Sequence, residues 1–184
     1  MHVPDGFLDV QTSVATGVVA AAAVGVALRR ARTELDDRTA PMAGLVATFV
    51  FAAQMVNFPV GLGTSGHLIG GALAAVLVGP WTGLLAVGVV LIVQALLLAD
   101  GGITALGTNI TLLAVAGVVV GWLTFRGLQR ILPQRLGLVP VLAAVAALAS
   151  VPAAALCFVA LYAVGGTAPV PLVGLATAML GWHT

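Results

Sequence analysis

The sequence predicts an all-α polytopic membrane protein with six full transmembrane helices and a seventh that runs for only about half a crossing. Three observations carry that prediction. Hydrophobic residues make up 61% of the 184 positions and charged residues 7%, whereas a soluble domain carries charge on about a quarter of its residues. The apolar residues fall into unbroken runs of roughly 15 to 25, the length a helix needs to cross a hydrocarbon core about 30 Å thick. These runs do not alternate polar with apolar, which excludes a β-barrel and leaves helices to satisfy the backbone in lipid.

Taken in order, the spans are expected near Val10 to Leu28, Pro41 to Phe58, His67 to Val78, Trp81 to Ala99, Asn109 to Phe125 and Val139 to Val164. The seventh begins near Val170 and stops at Trp182. The third is short and glycine-rich, and Gly79-Pro80-Trp81-Thr82 joins it to the fourth as a tight hairpin, proline being suited to the first turn of a helix. The spacings Gly66-x-x-x-Gly70, Gly79-x-x-x-Gly83, Gly117-x-x-x-Gly121 and Ala43-x-x-x-Ala47 let helices approach closely, chiefly for packing within the chain. Residues 1–184 thus form one membrane domain, with residues 1–9 as an N-terminal loop and 10–184 as the helical bundle.

Arginine sets the orientation. Arg29, Arg30, Arg32 and Arg38 lie between spans one and two, and Arg126, Arg130 and Arg135 between spans five and six, so all seven fall on one side and are cytoplasmic by the positive-inside rule. The N-terminus is then outside, together with Asn57 to Gly66, Asp100 to Thr108 and Gly165 to Pro169. Pro4, Asp5 and the lack of a basic leading segment argue against a cleaved signal peptide, so Met1 is expected to remain. The chain has no lysine and hence no phosphate-binding G-x-x-x-x-G-K motif, its net charge of +1 offers no surface for nucleic acid, and the single Cys157 forms no disulfide framework. ATP hydrolysis by that route and a basic nucleic-acid-binding stripe are thereby excluded.

Met1-His2 is the chemically telling pair. A terminal amine, the His2 amide nitrogen and His2 Nδ1 can close fused five- and six-membered rings on a metal ion, and a deprotonated amide favours the square-planar nitrogen geometry of Ni(II) and Cu(II) over the closed tetrahedral sites of zinc. Taken by itself, His2 reads better as a solvated terminal residue, and the rest of the chain supplies the context. His67, at the outer mouth of span three, is the natural fourth donor, because the roughly eight residues before span one reach about 25 Å when extended at ~3.3 Å each and can fold back into an outer cavity. Gln54 and Asn57, three apart on one helix face, with Asp100 and Asn109, gather at the same end and suit the supporting bonds that orient metal-bound imidazoles. Ordinary interhelical hydrogen bonding explains each of these four singly just as well.

Four blocks in order carry a family resemblance: Met1-His2-Val3-Pro4-Asp5-Gly6-Phe7-Leu8, Phe49 to Pro59 around Gln54 and Asn57, Gly63-Thr64-Ser65-Gly66-His67-Leu68-Ile69-Gly70-Gly71, and Asp100-Gly101-Gly102-Ile103-Thr104-Ala105-Leu106-Gly107. Together they resemble the cobalt/nickel substrate-specific membrane subunit of energy-coupling factor transporters, the CbiM/NikM family. The resemblance is densest from Met1 to about Ile110 and weak between Gly117 and Ala168. It implies a metal-capture subunit of seven helices whose N-terminus inserts into the bundle. Its substrate is Ni(II) or Co(II), held by the Met1 amine, the His2 amide and imidazole and the His67 imidazole, with no organic cofactor. It also implies partners: a transmembrane coupling subunit, cytoplasmic ATPase subunits and a small accessory membrane protein, in a prokaryotic cytoplasmic membrane. In the family the segment resembling Leu175 to His183 continues into the rest of a final helix, and His183 is expected on the inner side. Two other readings compete: a rhomboid-like intramembrane serine protease using Ser65 of Gly63-Thr64-Ser65-Gly66, for which no base is evident, and a structural membrane subunit with no metal site.

Overall fold

Aspartates cap the first two helices of this apolar chain in the computed structural model, which describes residues 2–61, 64–133 and 135–183. Asp9 accepts a hydrogen bond from Thr12 N at 2.7 Å and opens α1 (Val10–Arg30). Asp36 accepts from Arg38 N and Thr39 N and opens α2 (Thr39–Met55). An irregular antiparallel hairpin follows, β1 (Phe58–Gly61) with β2 (Thr64–Gly66), in which Phe58 pairs with Gly66 and Pro59 with Ser65. Then come α3 (Gly71–Val78) and α4 (Pro80–Leu97), joined by Gly79 alone, so the predicted hairpin forms at the predicted place.

The start of α4 is capped from a distance. Glu34, in the α1–α2 connection, accepts from Thr82 N at 2.7 Å and Trp81 N at 3.3 Å, placing a carboxylate on the positive end of the helix. Gly79 has φ +89, and a Cβ there would stand 2.6 Å from the Glu34 carboxyl carbon, so a side chain at this corner would eject the cap.

After α4 the chain forms one continuous helical rod, α5 (Leu106–Asn109), a π-helical stretch Ile110–Ala116 and α6 (Gly117–Ile131). It is followed by α7 (Val139–Gly165), with Pro152 inside it, and α8 (Leu172–His183). α3 is the central element, buried along Gly71, Ala72, Ala74, Ala75 and Val78. Its neighbours reach it through small residues: a Cβ on Gly121 would fall 2.4 Å from Ala72 Cβ. The predicted Gly117-x-x-x-Gly121 spacing therefore serves packing inside the chain.

Burial follows the logic of lipid. On α1, Thr12, Thr16, Ala20 and Ala27 face inward while Val14 and Val18 are 61% and 65% exposed, so the apolar side faces out. Thr16 uses its buried position to bond Thr108 at 2.7 Å and, through its carbonyl, Thr111, fastening α1 to the rod.

The helix inventory differs from six full spans plus half of a seventh. Among the described residues four helical stretches are long and apolar enough to cross a membrane: Val10–Thr33, Pro80–Leu97, Leu106–Ile131 and Leu136–Gly165. α2 has 17 residues, α8 has 12 and α3 only 8. Two causes account for the difference. α2 ends at Met55, before Asn57 and Pro59, and α3 starts at Gly71 because Gly70 adopts φ +80, which leaves His67 in an extended linker outside the helix.

Candidate metal centre

Residues 2–9 of an apolar chain are hard to keep in solvent, and here they fold back into the end of the bundle from which α1 departs. Phe7 packs between Phe158 (5.6 Å between ring centroids) and Tyr162 (5.1 Å), and Val3, Phe7 and Leu8 are all buried. Polar bonds set the register: Thr104 N donates to Asp5 Oδ1 at 2.8 Å, Thr167 Oγ1 to the Gly6 carbonyl at 2.6 Å, and Asp9 N to the Gly165 carbonyl at 2.7 Å. Burying a side chain such as Phe or Leu contributes about 1.5–3 kcal/mol and a polar contact in a bilayer protein about 0.6 kcal/mol. Packing therefore holds the segment down, and the hydrogen bonds decide where each residue sits.

This placement brings His2 to His67. The two rings stack with centroids 4.4 Å apart at 25°, and each residue is 7% exposed. His67 Nδ1 lies 2.8 Å from the Leu68 carbonyl, which can only accept, so Nδ1 carries the proton and Nε2 presents its lone pair. That Nε2 is buried and has no hydrogen-bond partner, and neither has either ring nitrogen of His2. His2 Nδ1 stands 3.1 Å from Asp100 Oδ1. The neighbouring His2 imidazole holds the Asp100 carboxyl below the usual carboxylate range, so a negative charge borders the pair. The arrangement combines the unclaimed lone pair of His67 Nε2, a buried setting and an adjacent carboxylate, all of which favour a divalent cation. A cleft of about 340 Å³, lined by His2, Pro4, Asn57, Ser65, Asp100 and Gly101, opens onto it.

Burial pushes the His67 imidazole down to about 3 from 6.5. A lowered folded pKa means that the folded state binds fewer protons than the unfolded one between these values, so stability is full above about 6.5 and drains as pH falls toward 3. Thermal unfolding of the metal-free protein is expected to move to lower temperature from pH 7 to pH 4, and His67→Leu is expected to flatten that dependence. An equally steep profile in the variant would assign the acid sensitivity elsewhere.

The supporting residues act differently from one another. Gln54, fully buried, donates through Nε2 to the Ile69 carbonyl at 2.9 Å and so steadies the linker that carries His67. Asn57 does not share a helix face with it: it lies beyond the end of α2, exposed, on the rim of the cleft. Asn109 grips the Val3 backbone rather than an imidazole. Met1 lies outside the described residues. Among the described residues no group of three or more His, Cys, Asp or Glu side chains is set to hold a metal, so a site centred on the two imidazoles would take its remaining donors from the main chain.

A family model described as CbiM, the cobalt uptake substrate-specific transmembrane region, matches residues 2–184. The chain belongs to this family. Among CbiM relatives, a protein of Haloquadratum walsbyi named for metal transport is 47% identical over 131 residues, covering 71% of this chain and 60% of that protein. One of Archaeoglobus fulgidus, named as a fused nickel transport protein NikMN, is 44% identical over 130 residues, 71% of this chain and 43% of its own length. The cobalt transport protein CbiM of Sorangium cellulosum is 39% identical over 133 residues, 71% and 59% respectively. The match thus spans roughly half of these relatives' lengths. The crystal structure of a truncated transition metal transporter superposes with a TM-score of 0.90 at 29% identity, covering 100% of this chain and 89% of that one. A second transition metal transporter gives 0.89, with 84% of that chain covered. The chain is a membrane component of the cobalt and nickel transport family.

Two features of this CbiM member escape sequence reasoning. His183, expected on the inner side, instead ends a helix that stays near the β-hairpin, where the Trp182 ring lies 6.3 Å from Phe58. The reason is packing: α8 lies against β1, which holds its end beside the hairpin. Even so, among the described residues no hydrogen bond joins the Ser65 hydroxyl to an imidazole, since His67 Nδ1 serves Leu68 and His183 Nδ1 serves Met179. The second is Gln94, one turn before the end of α4. It is fully buried, and neither amide atom has a partner among the described residues. Its signal was present, because an uncharged amide inside an apolar span is costly in hydrocarbon and asks for a reason.

Proposed function

We propose that this chain is the substrate-capture subunit of an ATP-driven importer of Ni(II) or Co(II). Residues 1–9 are the capture loop, seated on a bundle formed by 10–184. The Met1 amine, the His2 amide nitrogen and Nδ1, and His67 Nε2 supply four nitrogens, and Gln54, Asp100, Asn109 and the rim residue Asn57 support them. The observation that carries this reading is the buried stack of His2 on His67, with the lone pair of His67 Nε2 unclaimed.

A divalent ion enters through the cleft, exchanges its waters for nitrogen donors and releases protons from the amine and amide, so affinity falls as pH falls. His67 needs no deprotonation to join. The chain contributes selectivity. Energy comes from cytoplasmic ATPase subunits, acting through a transmembrane coupling subunit and a small accessory membrane protein. The decisive experiment is calorimetric titration of the purified chain with Ni(II), Co(II) and Zn(II) alongside visible absorption: one equivalent of Ni(II) with a planar-nitrogen spectrum is expected, and Zn(II) binding of equal strength would sink the reading.

The orientation is part of the proposal, with the seven arginines on the cytoplasmic side of a prokaryotic inner membrane and the amino terminus outside. In a Cys157→Ala background, a cysteine at Ile103, which is 60% exposed, is expected to react with an impermeant maleimide on intact cells, and one at Leu35 is not. Labelling at Leu35 alone would invert the topology.

A further inference from the structure

We propose that Asn109 is the positioning residue of the amino-terminal chelate: it fixes the plane of the peptide between His2 and Val3, so that the His2 main-chain nitrogen and imidazole are presented together toward His67. This rests on the proposed amino-terminal site and assigns the device that preorganises it.

A carboxamide has the donor and acceptor of a peptide group, and Asn109 uses both on one residue. Its Oδ1 accepts from Val3 N at 2.7 Å and its Nδ2 donates to the Val3 carbonyl at 3.1 Å, as a neighbouring strand would. Val3 is 0% exposed and Asn109 1%, so water does not compete for either bond. The Val3 carbonyl also accepts from Gly102 N at 2.9 Å.

The consequence reaches one residue back. The Val3 N–H lies in the same rigid plane as the His2 carbonyl, so pinning it fixes the rotation about the His2 Cα–C bond. The other two heavy-atom substituents of that Cα, its nitrogen and its Cβ, are the two arms of the six-membered ring that a metal closes through Nδ1. Among the described residues the His2 main-chain N–H has no hydrogen bond. Both polar groups of Val3 are tied down, while the nitrogen that must lose its proton to bind is left free.

The surroundings fit this role. Gly101, at φ +97, makes the room: a Cβ there would stand 2.9 Å from Asn109 Nδ2 and 3.5 Å from His2 Cβ. The π-helical stretch begins at the very next residue, Ile110, and π-turns concentrate where a helix must aim a functional side chain. Thr108, one residue earlier, is locked to Thr16. No other side-chain type does the same work at this position. Asp cannot donate to a carbonyl, Ser reaches only one of the two groups, and Gln is one methylene too long.

The test must separate aiming from mere tethering, because Asp5 tethers the same segment through Thr104. The full chain in lipid nanodiscs is titrated with Ni(II), reading affinity by calorimetry and geometry by visible absorption and circular dichroism of the bound ion. Asn109→Leu and Asn109→Asp are expected to weaken binding on the order of 10- to 100-fold, as loss of a residue supporting a metal ligand does, and to lose the planar four-nitrogen spectrum. Asp5→Ala is expected to weaken binding less and keep that spectrum. Should Asn109→Leu fail to fold, Asn109→Ser carries the same expectation. A wild-type spectrum in the Asn109 variants overturns the inference, and so does an equal spectral loss in Asp5→Ala. A wild-type protein that itself lacks the planar signature overturns the amino-terminal site, whatever Asn109 does.

Discussion

Protein carrying an uncleaved N-terminal tag is expected to lose Ni(II) and Co(II) binding, and protein from which the same tag has been cut back to Met1 is expected to regain it. An extension turns the terminal amine into an amide, which is a poor neutral donor, and adds bulk to a segment whose next residues, His2 and Val3, are already buried. Both effects act in the same direction, so a fall of at least about a hundredfold, roughly 2.8 kcal/mol, is expected. Met1→Leu with a native start is expected to be mild, because the proposed site uses the amine and not the thioether, and His2→Ala severe. Calorimetry on the tagged, cleaved and native forms decides the matter: equal affinity in all three would remove the amino terminus from the site.

Replacing His67 is expected to be nearly as damaging. His67→Ala deletes the one ring nitrogen whose tautomer the Leu68 carbonyl already fixes for binding, and it removes the ring on which His2 stacks. Binding is expected to weaken by well over tenfold, more than about 1.4 kcal/mol, and metal uptake by cells to cease. Ser65→Ala, on the cleft wall, is expected to change little. The reverse pattern, with Ser65 essential and His67 dispensable, would favour nucleophilic chemistry at Ser65 instead.

The parts of this molecule legible in its sequence are those written in local chemistry. The Gly79-Pro80 pair announces its turn, and the meeting of His2 with His67 follows from two donors at one end of a bundle. Positions set by distant residues were less visible. Hydropathy carried the second span through Phe58 and started the third at His67, because Val56, Phe58 and Leu68 are as apolar as any helical residue; only the positive φ of Gly70 and the strand pairing of Phe58 with Gly66 break those runs. Asn109 read as a support for an imidazole, and its true partner, the Val3 backbone, is 106 residues away and leaves no trace in any local pattern. The same holds for Gly165 to Thr167, which hold residues 6 to 9.

Those last contacts impose an order of events on biosynthesis. Residues 2–9 are synthesised before the rest of the bundle, and part of their seat, Gly165 and Thr167, is made about 160 residues later. At ~5–20 residues per second the interval is roughly 8–30 s. Throughout it the amino-terminal segment has no finished place to dock. The seating of residues 6 to 9, and with it the full support of the stack of His2 on His67, therefore waits on residues 165 to 167. A chain that stalls before residue 165 therefore has both histidines and still lacks part of the seat that holds residues 6 to 9.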